Sequence, residues 1–232
     1  MPYRRLPTTD VARLKALHAC THMAGIAGLE QLAFPAGHIH TLRNIINKLE
    51  GAKHQQNQAK RNQVGFNREY QPKLIKTRLY LSHFIQVLNL AIIREEIPES
   101  ARKFYGLEAY GNRLPDLKSD TSILEWGKHI IDGENQRLKK GGIPIMTPNV
   151  ARVKVWYDQF RDGYYIQQTS QKTTARANQK MVEIRKEVDT LLAAVWDEIE
   201  KFYGSFPEAE RRKLAEEYGV VYVIRKTEQE DG

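Results

Sequence analysis

The feature that most constrains this chain is a stretch without proline that runs from Asn149 to Tyr203. Apolar residues recur in it at spacings of three and four, in one stripe from Val150 to Tyr164 and another from Met181 to Phe202. This spacing is typical of an amphipathic helix, and a continuous helix here would extend roughly 80 Å at 1.5 Å per residue. Such a helix must bury its stripes against other helices.

The first part of the chain has a similar helical pattern. Apolar residues at helical spacing run from Ile39 to Leu49 and again from Leu74 to Ile93. Between these stripes the sequence is polar and basic, and Gly65 and Pro72 leave open whether residues 51–73 are helix or loop. We expect the stripes Leu74–Ile93 and Met181–Phe202 to pack against each other.

Turn and cap residues recur at matching places in the two halves of the chain. At an offset of 113 residues, Thr8-Thr9 matches Thr121-Ser122, Pro35 matches Pro148, and Tyr105-Gly106 matches Tyr218-Gly219. A capped helix therefore begins each half, with Asp120-Thr121-Ser122 as the second cap. We interpret this as a duplication, with chance recurrence of Pro and Gly as the alternative.

Together these patterns predict an all-α fold. We expect an elongated antiparallel helical bundle of two pseudo-repeated helical hairpins, residues 1–115 and 116–232, packed as one unit. Val220 to Ile224 is the one strand pattern, and a lone strand needs a partner for its backbone groups. We predict that residues 220–225 pair with Pro2–Leu6. Ile143–Thr147 and a second molecule are the other candidates.

Positive charge is concentrated in the first half. The chain has 36 Lys and Arg against 28 Asp and Glu, a net charge of +8. Residues 1–115 hold 17 basic and 8 acidic residues, whereas residues 116–232 hold 19 and 20. The first half is therefore basic and the second near neutral, a distribution that favours either polyanion binding or simple solubility.

The polar helix middles are candidate nucleic-acid contacts. Their basic residues are Lys53, Lys60, Arg61, Arg68, Lys73, Lys76, Arg78, Lys172, Arg176 and Lys180. Cations of this kind contact phosphates, and Phe66, Tyr70, Tyr164 and Tyr165 are near enough in sequence to stack on unpaired bases. The alternative is a solvated stretch of helix, because no nucleic-acid-binding motif occurs here.

The sequence gives little sign of catalysis. His18 and His22 are four residues apart on one helix face, a spacing that can ligate a metal, but no Glu-x-x-His motif accompanies them. Cys20 lies among small apolar residues, as an inert core thiol does. No Walker loop, dinucleotide glycine pattern or nucleophile elbow is present. We predict no cofactor.

The sequence also bears on location and role. No apolar run reaches the roughly 20 residues that cross a bilayer. The N-terminal residues do not resemble a signal peptide, and one cysteine fits a reducing compartment, so we expect a cytoplasmic protein. We predict a non-catalytic structural or adaptor protein that binds a protein partner or itself. The alternatives are a nucleic-acid-binding protein and, third, a metal-dependent helical-bundle enzyme.

Overall fold

The computed structural model describes residues 2–28 and 31–224, and this part of the chain is almost entirely helical. The helices are α1 (Asp10–Ile26), α2 (Gly37–Ile93), α3 (Arg102–Tyr105), α4 (Asp120–Lys139), α5 (Val150–Phe202) and α6 (Glu208–Glu217). Short 3₁₀ turns lie at Glu99–Ala101 and Glu108–Tyr110, and the strands are β1 (Tyr3–Arg4) and β2 (Tyr222–Val223). The all-α prediction is confirmed. None of the described helices is long and apolar enough to cross a membrane.

Residues 51–73, which the sequence left open, are helical and belong to α2. Pro72 lies inside this helix, where it cannot donate to the carbonyl of Arg68. Both residues are exposed, so water can satisfy that carbonyl.

The N-cap of α4 is Ser119, and not Asp120-Thr121-Ser122 as the sequence suggested. The Oγ of Ser119 accepts a hydrogen bond from the N–H of Ser122 at 3.1 Å.

The chain forms two compact units, whose boundaries fall inside α2 and α5. The terminal unit contains the described residues within 1–59 and 174–232, and the central unit contains residues 60–173. Each unit therefore combines a piece from each half of the sequence. The division into halves, residues 1–115 and 116–232, stays a prediction about duplication and does not coincide with these contact units.

The terminal unit packs α1 and α6 onto the first part of α2 and the last part of α5. Its core includes the fully buried Leu17, Leu42, Leu49, Val188 and Trp196. α2 and α5 run antiparallel here, because Lys48 bonds to Glu187 while Gln56 bonds to Asn178.

The central unit packs α3 and α4 onto the other parts of α2 and α5. Its core includes the fully buried Leu81, Phe84, Ile130, Val153 and Phe160. The stripe 74–93 thus buries its residues in the central unit, whereas the stripe 181–202 does so in the terminal unit. The prediction that these two stripes pack against each other is wrong, because each meets a different part of the opposite long helix.

The termini of the described chain meet in a short antiparallel ribbon, as the strand pattern predicted. Tyr3 pairs with Val223 and Arg4 with Tyr222. The Arg4 guanidinium also bonds to Glu200 at 3.0 Å, and the Tyr222 hydroxyl donates to the same carboxylate at 2.6 Å. Residue 225 of the predicted strand lies outside the described residues.

Two crossed ion pairs hold α1 on α5 in the terminal unit. Arg13 donates to both carboxylate oxygens of Asp189 at 2.7 and 2.8 Å, and Arg185 donates to both oxygens of Asp10 at 2.7 Å. The hydrogen bond from Arg185 lowers the pKa of Asp10 below its usual value, and burial opposes this only in part. Bidentate pairs of this kind fix orientation as well as adding energy.

The lowered pKa of Asp10 predicts a pH dependence of stability. Because the folded state binds the Asp10 proton less readily than the unfolded chain, this stabilisation is present above the unfolded pKa of about 3.9. It is lost as the pH falls through the lower folded pKa. We expect Asp10→Asn to lower the urea midpoint at pH 7 and to lose less stability than wild type between neutral pH and pH 3. Equal pH profiles would contradict this.

A buried ion pair anchors the segment after α4 in the central unit. Arg137 donates to both oxygens of Glu134, at 2.9 and 2.8 Å, and also to the carbonyl of Ile143 at 2.7 Å. The Tyr105 hydroxyl donates to Glu134 as well, and the N–H of Ile145 does so at 3.3 Å. Glu134 is fully buried, so these bonds compensate the cost of burying its charge.

Candidate binding sites

One candidate site is a cleft in the central unit, between α2 and the segment that leads into α5. Its volume is about 410 Å³, within the range of ligand sites. It is lined by Leu79, Tyr80 and His83 of α2, by Met146, Thr147, Pro148 and Asn149 of the connecting segment, and by Arg152 of α5.

The secondary structure nearby explains the position of the residues on each wall of this cleft. Leu79 and His83 lie on the solvent side of α2, while their neighbours Leu81 and Phe84 are in the core. The opposite wall is fixed where Asn149 starts α5, because its Oδ1 accepts from the N–H of Arg152 at 2.9 Å. Tyr80, which lines the cleft, stacks on Trp156, with 6.1 Å between the ring centroids.

The predicted nucleic-acid contacts are divided between the two units. Lys53, Arg176 and Lys180 belong to the terminal unit, and Lys180 donates to Gln55 at 3.2 Å. The other seven belong to the central unit: Lys60, Arg61, Arg68, Lys73, Lys76, Arg78 and Lys172. The ten residues therefore do not all belong to one compact unit.

Some of the central cations and aromatic residues have structural roles. Lys76 lies over the ring of Trp156, with Nζ 4.4 Å from its centroid, and Arg78 donates to the carbonyl of Lys118 at 2.9 Å. Tyr70 is buried and stacks on Phe160. Lys60, Arg68 and Lys172, together with Phe66 and Tyr165, have exposed side chains that a ligand can reach.

The histidine pair lies in an open cleft of about 630 Å³ in the terminal unit. Its lining residues are His18, Thr21, His22, Arg43, Ile46 and Asn47. His18 Nε2 is 3.6 Å from Glu50 Oε1, and both side chains are exposed. Within residues 2–28 and 31–224, no group of three His, Cys, Asp or Glu side chains is placed to hold a metal ion.

The cysteine is placed as an inert thiol. Cys20 is fully buried, and its Sγ donates to the carbonyl of Tyr218 at 3.0 Å. Burial raises the pKa of this thiol to about 12, so the reactive thiolate is scarce at neutral pH. Cys20 thus helps to join α1 to the end of α6 and is not poised as a nucleophile.

Sequence reasoning did not single out Leu79, Met146 or Arg152 as site residues. The usable signal was the segment 143–148, which the pattern marks as extended and which places apolar residues outside a helix. The chemistry of the cleft must be argued from its own contacts, because similarity offers no guide. No protein-family model, no curated protein and no solved structure matches this chain.

Proposed function

We propose that this chain is a non-catalytic helical adaptor that binds a protein partner or a second copy of itself. The observation that carries the proposal is a row of exposed aliphatic side chains on α2 in the central unit. This aliphatic face consists of Ile75, Leu79, Leu90 and Ile93, which are between 51 and 61 % exposed.

The helical geometry places these four residues on one side of α2 as two pairs, Ile75 with Leu79 and Leu90 with Ile93, about 16 Å apart along the helix axis. At about 100° per residue they fall within an arc of roughly 60° on one side of α2. The opposite side of the same stretch carries the buried Leu81, Phe84, Ile85 and Leu88. Exposed apolar side chains paired on one helix face are typical of a protein-binding site, because leaving them in water costs free energy that a partner recovers.

Changing Leu90 and Ile93 together to Ser tests this proposal. We expect the variant to fold, since both side chains are exposed, and to lose binding to itself in light scattering or to its partner in a native pull-down. The matched control is Ile166→Ser, which removes an exposed aliphatic residue of α5. A monomer that also captures no partner, or equal binding by all three proteins, would contradict the adaptor proposal.

Nucleic-acid binding is the second candidate, favoured by the charge of the central unit. Residues 60–173 contain 19 Lys and Arg against 12 Asp and Glu, so this unit holds most of the excess positive charge. We expect affinity for single-stranded RNA or DNA to fall steeply with salt, and Lys60→Glu with Arg61→Glu to weaken it. A mobility-shift assay that shows no complex at low salt would exclude this function.

We also propose that the two sequence halves arose by duplication. In support, burial repeats along the long helices at an offset of 111: Leu42, Leu49, Leu81 and Leu88 match Val153, Phe160, Leu192 and Ile199, all fully buried. Gly28 and Gly141, and Gly106 and Gly219, have positive φ at an offset of 113. In this duplication α1 starts a half that ends at the buried Tyr105, and the equivalent helix α4 starts a half that ends at the buried Tyr218.

The metal-dependent enzyme is the third proposal, and it rests on His18 and His22 alone. Elemental analysis of the native protein tests it. Binding of zinc or iron that His18→Ala abolishes would support it, whereas protein that neither contains nor takes up either metal would exclude it.

A further inference from the structure

The cleft of the central unit combines apolar side chains with unopposed positive charge. Leu79 and Met146 are 61 and 73 % exposed, although both are large and aliphatic. Arg152 and His83 also line the cleft, and no lining residue is acidic. In the described part of the chain the Arg152 side chain has no hydrogen-bonding or ionic partner, so its guanidinium is available to a ligand carboxylate.

The segment beside the cleft has backbone groups that a peptide could pair with. Residues 143–146 belong to no helix or strand, and the N–H groups of Met146 and Thr147 donate no hydrogen bond to any described residue. β2, which could have paired with this segment, pairs with β1 instead. Exposed backbone groups without partners are available to pair with a segment of another chain.

The corresponding segment of the terminal unit also lines a cleft, of about 450 Å³, but that cleft includes the acidic Glu198. At the offset of 113 residues, Ala33 and Phe34 match Met146 and Thr147. Ala33 and Phe34 are buried, and Phe34 packs edge-on against Tyr218 with 6.1 Å between ring centroids. The cleft of the central unit therefore differs from its counterpart in two ways: it exposes Met146, and no carboxylate lines it.

We propose that this cleft binds an extended acidic segment of a protein partner, with an aliphatic side chain between Leu79 and Met146 and a carboxylate on Arg152. The proposal rests on the adaptor function and names its site, since Leu79 belongs to both the aliphatic face and the cleft. The excess of basic residues in the central unit attracts such a segment and repels a basic one.

Methyl NMR of the full-length protein with ¹³C-labelled methionine tests the proposal. The probe is the acetylated and amidated peptide Glu-Leu-Asp-Leu-Glu. We expect it to shift the Met146 methyl signal, assigned with Met146→Leu, and to leave Met181 unchanged, because Met181 is fully buried in the terminal unit. The neutral peptide Gln-Leu-Asn-Leu-Gln should bind at least about ten-fold more weakly.

Two variants separate charge recognition from general attraction. Arg152→Gln should weaken the acidic peptide about ten-fold, the loss expected for one charge-assisted hydrogen bond. Lys172→Gln, which removes an exposed cation of the same helix outside the cleft, should change affinity little. Equal binding of both peptides, equal loss in both variants, or a Met146 shift produced instead by oligothymidine would overturn the proposal.

The test distinguishes this proposal from the adaptor function. If the full-length protein keeps its partner or its dimer in the Arg152→Gln variant but loses it when Leu90 and Ile93 become Ser, the cleft is not the binding site and the adaptor function stands. If the protein is a monomer that binds neither partner nor peptide, both fail.

Discussion

Replacing Glu134 with Ala is expected to destabilise the central unit by about 3–5 kcal/mol, the usual cost of breaking a buried ion pair. The change leaves the guanidinium of Arg137 buried without a carboxylate, and it removes the acceptor used by Tyr105 and by the N–H of Ile145. The double change Glu134→Leu with Arg137→Met should recover only part of the loss: no unpaired charge then remains, but the Tyr105 hydroxyl and the N–H of Ile145 still lack their acceptor.

Fluorotryptophan ¹⁹F NMR during urea unfolding measures this effect unit by unit. Trp126 and Trp156 report on the central unit and Trp196 on the terminal unit. The control Glu96→Ala breaks the exposed pair with Arg94 and should cost less than about 1 kcal/mol. Equal losses in Glu134→Ala and Glu96→Ala would show that the buried pair contributes no more than a surface one.

Cutting the chain between Arg113 and Leu114 is expected to leave the two fragments bound to each other. Both residues are exposed in the connection between α3 and α4, so a protease site inserted there is accessible. Each compact unit needs pieces from both fragments, residues 1–59 with 174–232 and residues 60–113 with 114–173. Separating the fragments therefore requires unfolding both cores.

Size-exclusion chromatography and circular dichroism check this result. The nicked protein should elute as one species with unchanged helix content, and its unfolding midpoint should rise with concentration, because refolding is now bimolecular. The uncut protein with the same insertion is the control, and its midpoint should not depend on concentration. Two separate folded fragments would mean that the halves 1–115 and 116–232 are independent domains.

The helices were predictable because periodicity records a buried face directly. The absence of proline from Asn149 to Tyr203 gave α5 nearly to its ends, and the apolar run from Leu74 to Ile93 gave the last part of α2. The pairing of the terminal segments was also predicted correctly. Val220–Ile224 needed an extended partner, and Pro2–Leu6 was one of two candidate segments within the chain.

The partner of each stripe was not predictable, because periodicity records that a face is buried and not what covers it. The stripe 181–202 is covered by α1 and the first part of α2, through contacts between residues more than 100 positions apart. The helical structure of residues 51–73 was not predictable either. This part of α2 contacts α5 through small and polar residues, such as Ala59 and Thr174, which produce no apolar periodicity.

The candidate cleft could not be predicted from the sequence for a similar reason. Leu79 and Met146 are far apart in the chain, and neither belongs to a chemical motif. The metal and nucleic-acid hypotheses depended on residue types that occur on many protein surfaces. The structure brings no third metal-ligating side chain to His18 and His22 within the described residues, and it divides the ten basic residues between the two units. The extended segment at Ile143–Thr147 was visible, but its exposure depends on how Glu134 and Arg137 hold it.

The central unit is built from the middle of the chain and the terminal unit from both ends, and this affects how the protein folds as it leaves the ribosome. The central unit is one uninterrupted stretch of chain and can close as soon as residue 173 has emerged. The stripe that contains Leu42 and Leu49 must wait for residues 174–232, whose synthesis takes roughly 3–12 s at ordinary rates. During that interval this apolar stripe of the nascent chain is exposed to solvent. Chaperones that bind exposed apolar segments should therefore engage the first 59 residues.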